Sequence, residues 1–132
     1  MSLMSANRTD RPAPSDQPVL ILSEDVVVAA LLGGLVETLG YRVHFARPPE
    51  SADDSVRRVK PRICLLNSEH AAVARSEFLG RAGMRGVCVV IFGTAEALDH
   101  VRSVVIAHNL ETLLMPPDLD ELEDILQRAN AD

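Results

Sequence analysis

The sequence of 132 residues lacks several features that would point directly to a function. It has only two cysteines, Cys64 and Cys88, and each lies inside an apolar run, so we expect buried thiols rather than a disulfide or redox pair. Its four histidines have no metal-ligand spacing with one another or with cysteine, and we expect them at the surface. They are His44, His70, His100 and His108.

The sequence also lacks a net positive charge and any long apolar stretch. The formal net charge of -6 leaves no basic field to hold a phosphate backbone, so direct nucleic-acid binding is not expected. No apolar run reaches the roughly 18 residues that span a bilayer, and no secretory signal stands near the start. We therefore expect a cytoplasmic protein without a membrane segment. No glycine-rich phosphate loop is present either, because Gly33 and Gly34 lie inside a predicted helix.

The composition is that of a globular domain, with 47% hydrophobic and 24% charged residues. Residues 1–17 are rich in Ser, Pro, Asp and Arg and have no apolar period, which predicts a flexible leader. Residues 18–132 have room for one domain with a substantial core. We expect no output domain after the last predicted helix.

Short apolar runs and segments of helical period alternate five times after residue 17. The predicted strands are 19–22, 41–46, 62–66, 87–92 and 112–115. The predicted helices are 25–39, 50–59, 69–81, 95–108 and 118–129. Parallel strands joined by right-handed helical crossovers form a sheet with helices on both faces. We predict an α/β, flavodoxin-like (βα)5 fold with strand order 2-1-3-4-5.

The third predicted strand ends in Asn67, a polar residue at the edge of the sheet where such folds bind ligands. An aspartate there could act as a nucleophile or bind a metal ion. An asparagine amide is a poor nucleophile and a weaker ligand for a hard cation. The position is therefore suited to chemistry that this residue does not support.

Residues 18–130 resemble the receiver domain of two-component response regulators. The similar segments are VLILSED at 19–25, LGYRV at 39–43, VIFGTA at 90–95 and LMP at 114–116. The resemblance implies that an acidic pair and an acceptor aspartate hold Mg²⁺, while a lysine and a hydroxyl residue contact the phosphoryl group. It also implies a cis peptide bond between Met115 and Pro116.

Three of these five positions have lost the required chemistry. Ser23 stands in place of the first acid, Asn67 in place of the acceptor and Met115 in place of the lysine. Glu24 and Thr94 match in kind. The resemblance thus implies a degenerate receiver, with at most weak Mg²⁺ binding at Glu24 and Asp25 and no cofactor.

Each of these residues also has a purely structural interpretation. Ser23 and Asp25 are typical N-cap residues for the first helix, and Thr94 for the fourth. Glu24 suits a helix N-terminus, Asn67 suits a cap or turn, and Met115 suits ordinary packing. The functional interpretation depends on the whole set.

The first predicted helix carries an unusually apolar outer face. A helical wheel directs Val28, Leu31, Leu32, Leu35 and Leu39 to the core. It leaves an outer face of Val26, Ala30, Gly33, Gly34 and Glu37. We expect this face to contact a protein partner, although drift on a tolerant surface would produce the same pattern.

The leading hypothesis is therefore a phosphorylation-independent signalling module, without enzymatic activity, that contacts a signalling protein or a second copy of itself. The alternative is a sensor that binds a small molecule at the carboxyl edge of the sheet. A phosphotransfer enzyme that uses Ser68 or a cysteine is disfavoured, because no nucleophile has an adjacent base in sequence.

Overall fold

A five-stranded parallel sheet with strand order β2-β1-β3-β4-β5 forms the centre of the computed structural model, which describes residues 17–131. The strands are β1 Pro18–Leu22, β2 Arg42–Phe45, β3 Ile63–Asn67, β4 Cys88–Gly93 and β5 Glu111–Leu114. The predicted fold class and strand order are confirmed. The predicted leader lies outside the described residues except for Gln17.

Six α-helices flank the sheet in the described residues. They are α1 Val26–Thr38, α2 Ala52–Val59, α3 Ser76–Met84, α4 Ala95–His100, α5 Arg102–His108 and α6 Leu119–Ala131. The third predicted helix was wrong in part, because a 3-10 helix at Ala71–Ala74 precedes α3 and Arg75 between them has an extended backbone. The fourth predicted helix divides into α4 and α5 at Val101, where the backbone leaves helical geometry.

Alternate residues of the strands build two cores, one on each face of the sheet. Val19 and Ile21 of β1 pack with α1 and α6, whereas Leu20 and Leu22 pack with α2 and α3. Strands with both faces covered are apolar at almost every position, as the run of buried residues in β3 shows. Cys64 lies in this core, and burial raises the pKa of its thiol to about 12, while Cys88 is half-buried.

The exposed side of α1 differs from the helical-wheel prediction. Leu31, predicted in the core, is 65% exposed, and Gly33, predicted on the outer face, is buried. Gly33 is covered because Phe45 of β2 packs over it. The apolar pattern did not reveal this, since α1 is apolar on nearly all sides.

Among the described helices, none combines the length and the apolar character that a membrane crossing requires.

Candidate functional site

The carboxyl ends of β1, β3, β4 and β5 meet at one edge of the sheet. The adjacent pairing of β1 with β3 places Ser23, just after β1, close to Asn67, the last residue of β3. Thr94 follows β4, and Met115 follows β5 on the other side. The structure therefore places Ser23, Asn67, Thr94 and Met115 at one edge of the sheet.

Ser23 and Asn67 are joined directly by a hydrogen bond. Nδ2 of Asn67 donates to Oγ of Ser23 at 3.0 Å, and Oδ1 of Asn67 accepts from the backbone N–H of Glu69 at 2.9 Å. Oγ of Ser23 also accepts from the backbone N–H of Asp25 and donates to its carbonyl, both at 3.1 Å. The hydroxyl thus uses its one donor and two acceptor sites, and the amide is engaged at both ends.

Asp25 is the N-cap of α1. Its Oδ1 accepts from the backbone N–H groups of Val27 and Val28, both at 3.1 Å. This confirms the capping interpretation for Asp25. Ser23 does not cap the helix as the sequence suggested, because its hydroxyl stabilises the turn that leads to Asp25.

Glu24 and Asp25, the two acids proposed for weak Mg²⁺ binding, do not converge on one point. Asp25 borders a cavity of about 210 Å³ that Asn67 and Thr94 also line, whereas Glu24 borders a different cleft. No group of three or more His, Cys, Asp or Glu side chains within residues 17–131 is arranged to hold a metal ion. With Asp25 engaged as a cap and the Asn67 amide bonded to Ser23, these side chains do not fit the Mg²⁺ site that the resemblance implies.

Thr94 caps a helix and Met115 packs in the core, as their structural interpretations predicted. Oγ1 of Thr94 accepts from the backbone N–H of Ala97 at 3.2 Å, which makes Thr94 the N-cap of α4. Met115 packs against the core beside α1 and α6, and its N–H donates to the carbonyl of Gly93 at 2.8 Å. The peptide bond between Met115 and Pro116 is cis, as predicted, and so is the bond between Pro48 and Pro49.

Ser68 is a member of this site that the sequence analysis did not include among the pocket residues. It is buried and lines the 210 Å³ cavity, and its backbone N–H donates to the carbonyl of Phe92. Its Oγ has no hydrogen-bond partner among the described residues. A Cβ on Gly93 would lie only 2.4 Å from this Oγ, so the glycine is required by close packing.

A second and larger cleft of about 640 Å³ lies beside this site, between α1 and the segment after β2. Glu24, His70 and Phe45 are among the residues that line it. Burial lowers the pKa of His70, and the nearby Glu24 carboxylate partly opposes this shift. The alternative function predicted a ligand site at this edge of the sheet, but not the walls of this cleft, because they come from segments that are distant along the chain.

The predicted partner surface is exposed in part. Val26 is 78% exposed, and Ala30, Gly34 and Glu37 are also exposed, while Gly33 is not. Two residues that the prediction omitted, Val27 and Leu31, are 67% and 65% exposed. We call the set Val26, Val27, Ala30, Leu31 and Gly34 the α1 surface.

No family model and no curated protein matches the sequence. Several solved structures, in contrast, have a fold similar to that of this chain. The signal receiver domain of a DNA-binding response regulator from Colwellia psychrerythraea 34H aligns with a TM-score of 0.70 and 20% identity, over 88% of this chain and 99% of that chain.

Two further structures have the same TM-score of 0.70. The receiver domain of a sensor histidine kinase from Pseudomonas aeruginosa PAO1, solved with a magnesium ion in its active site cleft, is 22% identical over 88% of this chain and 98% of that one. A protein of Burkholderia pseudomallei K96243, provisionally named as pilus assembly-related, is 25% identical over 89% of this chain and 92% of that one. This chain therefore has the fold of response regulator receiver domains.

Proposed function

We propose that this chain is an atypical receiver domain that transmits a signal through protein contacts and without phosphorylation. It has no catalytic role in this proposal. The proposal is supported by the receiver fold, by the order of the similar segments along the chain, and by the loss of three functional side chains.

The observation that carries the proposal is the hydrogen bond between Asn67 and Ser23. In the resemblance these positions belong to the phosphoryl acceptor and to an acid that holds Mg²⁺. Here an amide and a hydroxyl satisfy each other at 3.0 Å, with no charge for a cation to neutralise. This hydrogen bond supports a sheet edge that needs neither a phosphoryl group nor a metal ion.

The α1 surface is the part of the molecule that best fits a protein contact. Val26, Val27 and Leu31 are large apolar side chains that α1 presents to solvent within its first two turns. Burying one such side chain against a partner contributes about 1.5–3 kcal/mol. Gly34 has no atom within 4 Å of the position of a Cβ, which leaves room for a close approach of a partner's backbone.

Sedimentation or light scattering of the purified protein tests the contact, alone and with acetyl phosphate and Mg²⁺. We expect a self-associating species whose dissociation constant does not change on addition of acetyl phosphate. Leu31→Arg should weaken the association at least tenfold, because a buried charge replaces an apolar contact.

Ile106→Arg is the matched control, since Ile106 is a similarly exposed apolar residue, 71% exposed, on α5. It should leave the association unchanged. If the wild type is a strict monomer and Leu31→Arg also retains every protein that copurifies with the wild type, the α1 surface has no such role. A dimer that forms only with acetyl phosphate would contradict phosphorylation independence.

A further inference from the structure

The 640 Å³ cleft has the size and composition of a small-molecule site. Ligand pockets usually enclose about 300–1,000 Å³, with mostly apolar walls and a few polar groups. Val26 and Ala30 of α1 form part of one side. Phe45, Pro48 and Pro49 line it from the end of β2 and the segment that follows.

The carboxylates of the cleft differ in how they are engaged. Glu50 is held by its neighbours: its Oε2 accepts from Nε of Arg58 at 2.6 Å, and its Oε1 accepts from the backbone N–H of Arg47 and from Oγ of Ser55, both at 2.8 Å. Glu24 is exposed, and no residue within the described range donates a hydrogen bond to it. Glu24 is thus the acid that remains available to a ligand.

His70 adds a neutral polar group to the same cleft. Its Nδ1 accepts from the backbone N–H of Ala72 at 3.0 Å, which places the proton of the neutral ring on Nε2. Burial holds the pKa of His70 below its ordinary value, against the attraction of Glu24. At neutral pH the ring therefore brings no positive charge to compete for Glu24.

Among residues 17–131, no lysine or arginine lines the cleft, and the formal net charge of the chain is -6. An anionic ligand would meet the unpaired Glu24 carboxylate, and the Arg58 guanidinium beside the cleft is already bound to Glu50 and to the carbonyl of Phe45. A metal ion is also disfavoured, because the described residues offer no cluster of three ligating acids, histidines or cysteines. An organic cation meets an opposite charge and can bury an apolar body against the walls.

We propose that this cleft binds a small organic cation, with an ammonium group paired to Glu24 and an aryl or alkyl body packed between α1 and the Phe45–Pro49 segment. The proposal does not depend on the function proposed above. It gives the domain an input that does not require a phosphoryl group, at a cleft that shares Val26 and Ala30 with the α1 surface.

Three probes with the same phenylalkyl body test the charge requirement: 2-phenylethylammonium, 2-phenylethanol and 3-phenylpropionate. Their binding can be followed by two-dimensional amide NMR titration. We expect saturable binding of the ammonium compound at millimolar or lower concentration, with shifts centred on Glu24, Ala30 and Phe45. The alcohol should bind at least tenfold more weakly, and the carboxylate should not bind.

Two variants test the location. Glu24→Gln should weaken binding of 2-phenylethylammonium at least tenfold and bring it close to that of the alcohol. Ala30→Phe should reduce binding of both the ammonium compound and the alcohol, because its ring occupies the space beside Phe45. Thermal melting without a probe establishes that each variant is folded.

Leu31→Arg separates this proposal from the protein contact, since Leu31 does not line the cleft. It should retain the affinity of the wild type for the probe. The proposal is overturned if 2-phenylethylammonium shows no saturable binding, if the alcohol binds equally well, or if Glu24→Gln leaves the affinity unchanged. Lost binding in Leu31→Arg with normal binding in Glu24→Gln would likewise place the probe outside the cleft and overturn it.

Discussion

The side chains of Asn67 and Ser23 form a 3.0 Å hydrogen bond between the ends of two adjacent parallel strands, β3 and β1. Carboxylates at both positions would repel each other unless a cation lay between them. An amide donor and a hydroxyl acceptor attract instead. The two side chains therefore form a compatible pair, and changing one alone breaks the match.

Asn67→Asp should destabilise the protein by about 1 kcal/mol, because the Nδ2 donor is lost and the Ser23 hydroxyl must abandon its bond to the Asp25 carbonyl to reach the new carboxylate. Chemical denaturation of the two proteins measures this difference. Neither protein should be labelled efficiently by acetyl phosphate, since Ser23 and Met115 leave the site without an acid and a lysine.

The triple variant Ser23→Asp, Asn67→Asp and Met115→Lys is the positive control for labelling. We expect it to bind Mg²⁺ and to accept a phosphoryl group at residue 67, detected by mass spectrometry. Efficient labelling of the single Asn67→Asp variant would show that the lost acid at position 23 matters little.

The strand order and the positions of Ser23, Asn67, Thr94 and Met115 could be predicted because the strands are short, apolar and regularly spaced. Parallel topology alone then places their carboxyl ends at one edge. The exposed face of α1 could be predicted only in part, with errors at Leu31 and Gly33, because an almost uniformly apolar helix carries little periodic signal. The buried position of Gly33 depends on Phe45, a residue of the next strand.

The breaks in the third and fourth predicted helices had a weaker local signal. Arg75 and Val101 are not helix breakers by residue type, yet their backbones leave helical geometry. Val101 packs against the core on one face of the sheet, and tertiary packing of this kind outweighs the local preference for a continuous helix. The size and the walls of the large cleft could not be predicted either, because no single stretch of sequence contains those walls.

The adjacent glycines of α1 should respond differently to alanine. Gly34→Ala should stabilise the protein by up to about 1 kcal/mol, because no atom lies within 4 Å of the new Cβ and helical preference improves. Gly33→Ala should gain less or nothing, since its Cβ would lie 2.9 Å from Cζ of Phe45 and displace the ring.

Thermal melting compares the two variants under one condition. An equal or larger gain for Gly33→Ala would show that Phe45 moves without cost. If the α1 surface is a contact site, Gly34→Ala should at the same time weaken self-association, so that stability and binding change in opposite directions.

Gly93→Ala should destabilise the protein by roughly 1–3 kcal/mol through overpacking. The added Cβ would lie 2.4 Å from Oγ and 3.2 Å from Cβ of Ser68, whose backbone N–H is bound to the carbonyl of Phe92. Ser68→Ala alone should be near neutral, because the hydroxyl that it removes has no partner among the described residues.

A double-mutant cycle tests this explanation. In the Ser68→Ala background, Gly93→Ala should cost at least about 1 kcal/mol less than in the wild type, since the closest atom is gone. Additive effects in urea denaturation would show that the contact with Ser68 does not cause the loss, and would leave Cβ of Ala97, 3.4 Å from the added Cβ, as the remaining contact.

The stability of the segment around Glu50 should depend on pH in the acid range. The Arg58 guanidinium and the Arg47 backbone N–H hold the pKa of Glu50 at about 2, below its ordinary value of 4.5. Because the pKa is lower in the folded protein, the stabilisation is complete above about pH 4.5 and is lost as the pH falls toward 2.

Glu50→Gln should therefore melt at a lower temperature than the wild type at pH 7, and the two melting temperatures should converge near the lower end of this window. Glu121→Gln, at an exposed position with no described cationic partner, is the control and should follow the wild type throughout. A constant difference between Glu50→Gln and the wild type across the acid range would show that the carboxylate's charge does not stabilise this segment.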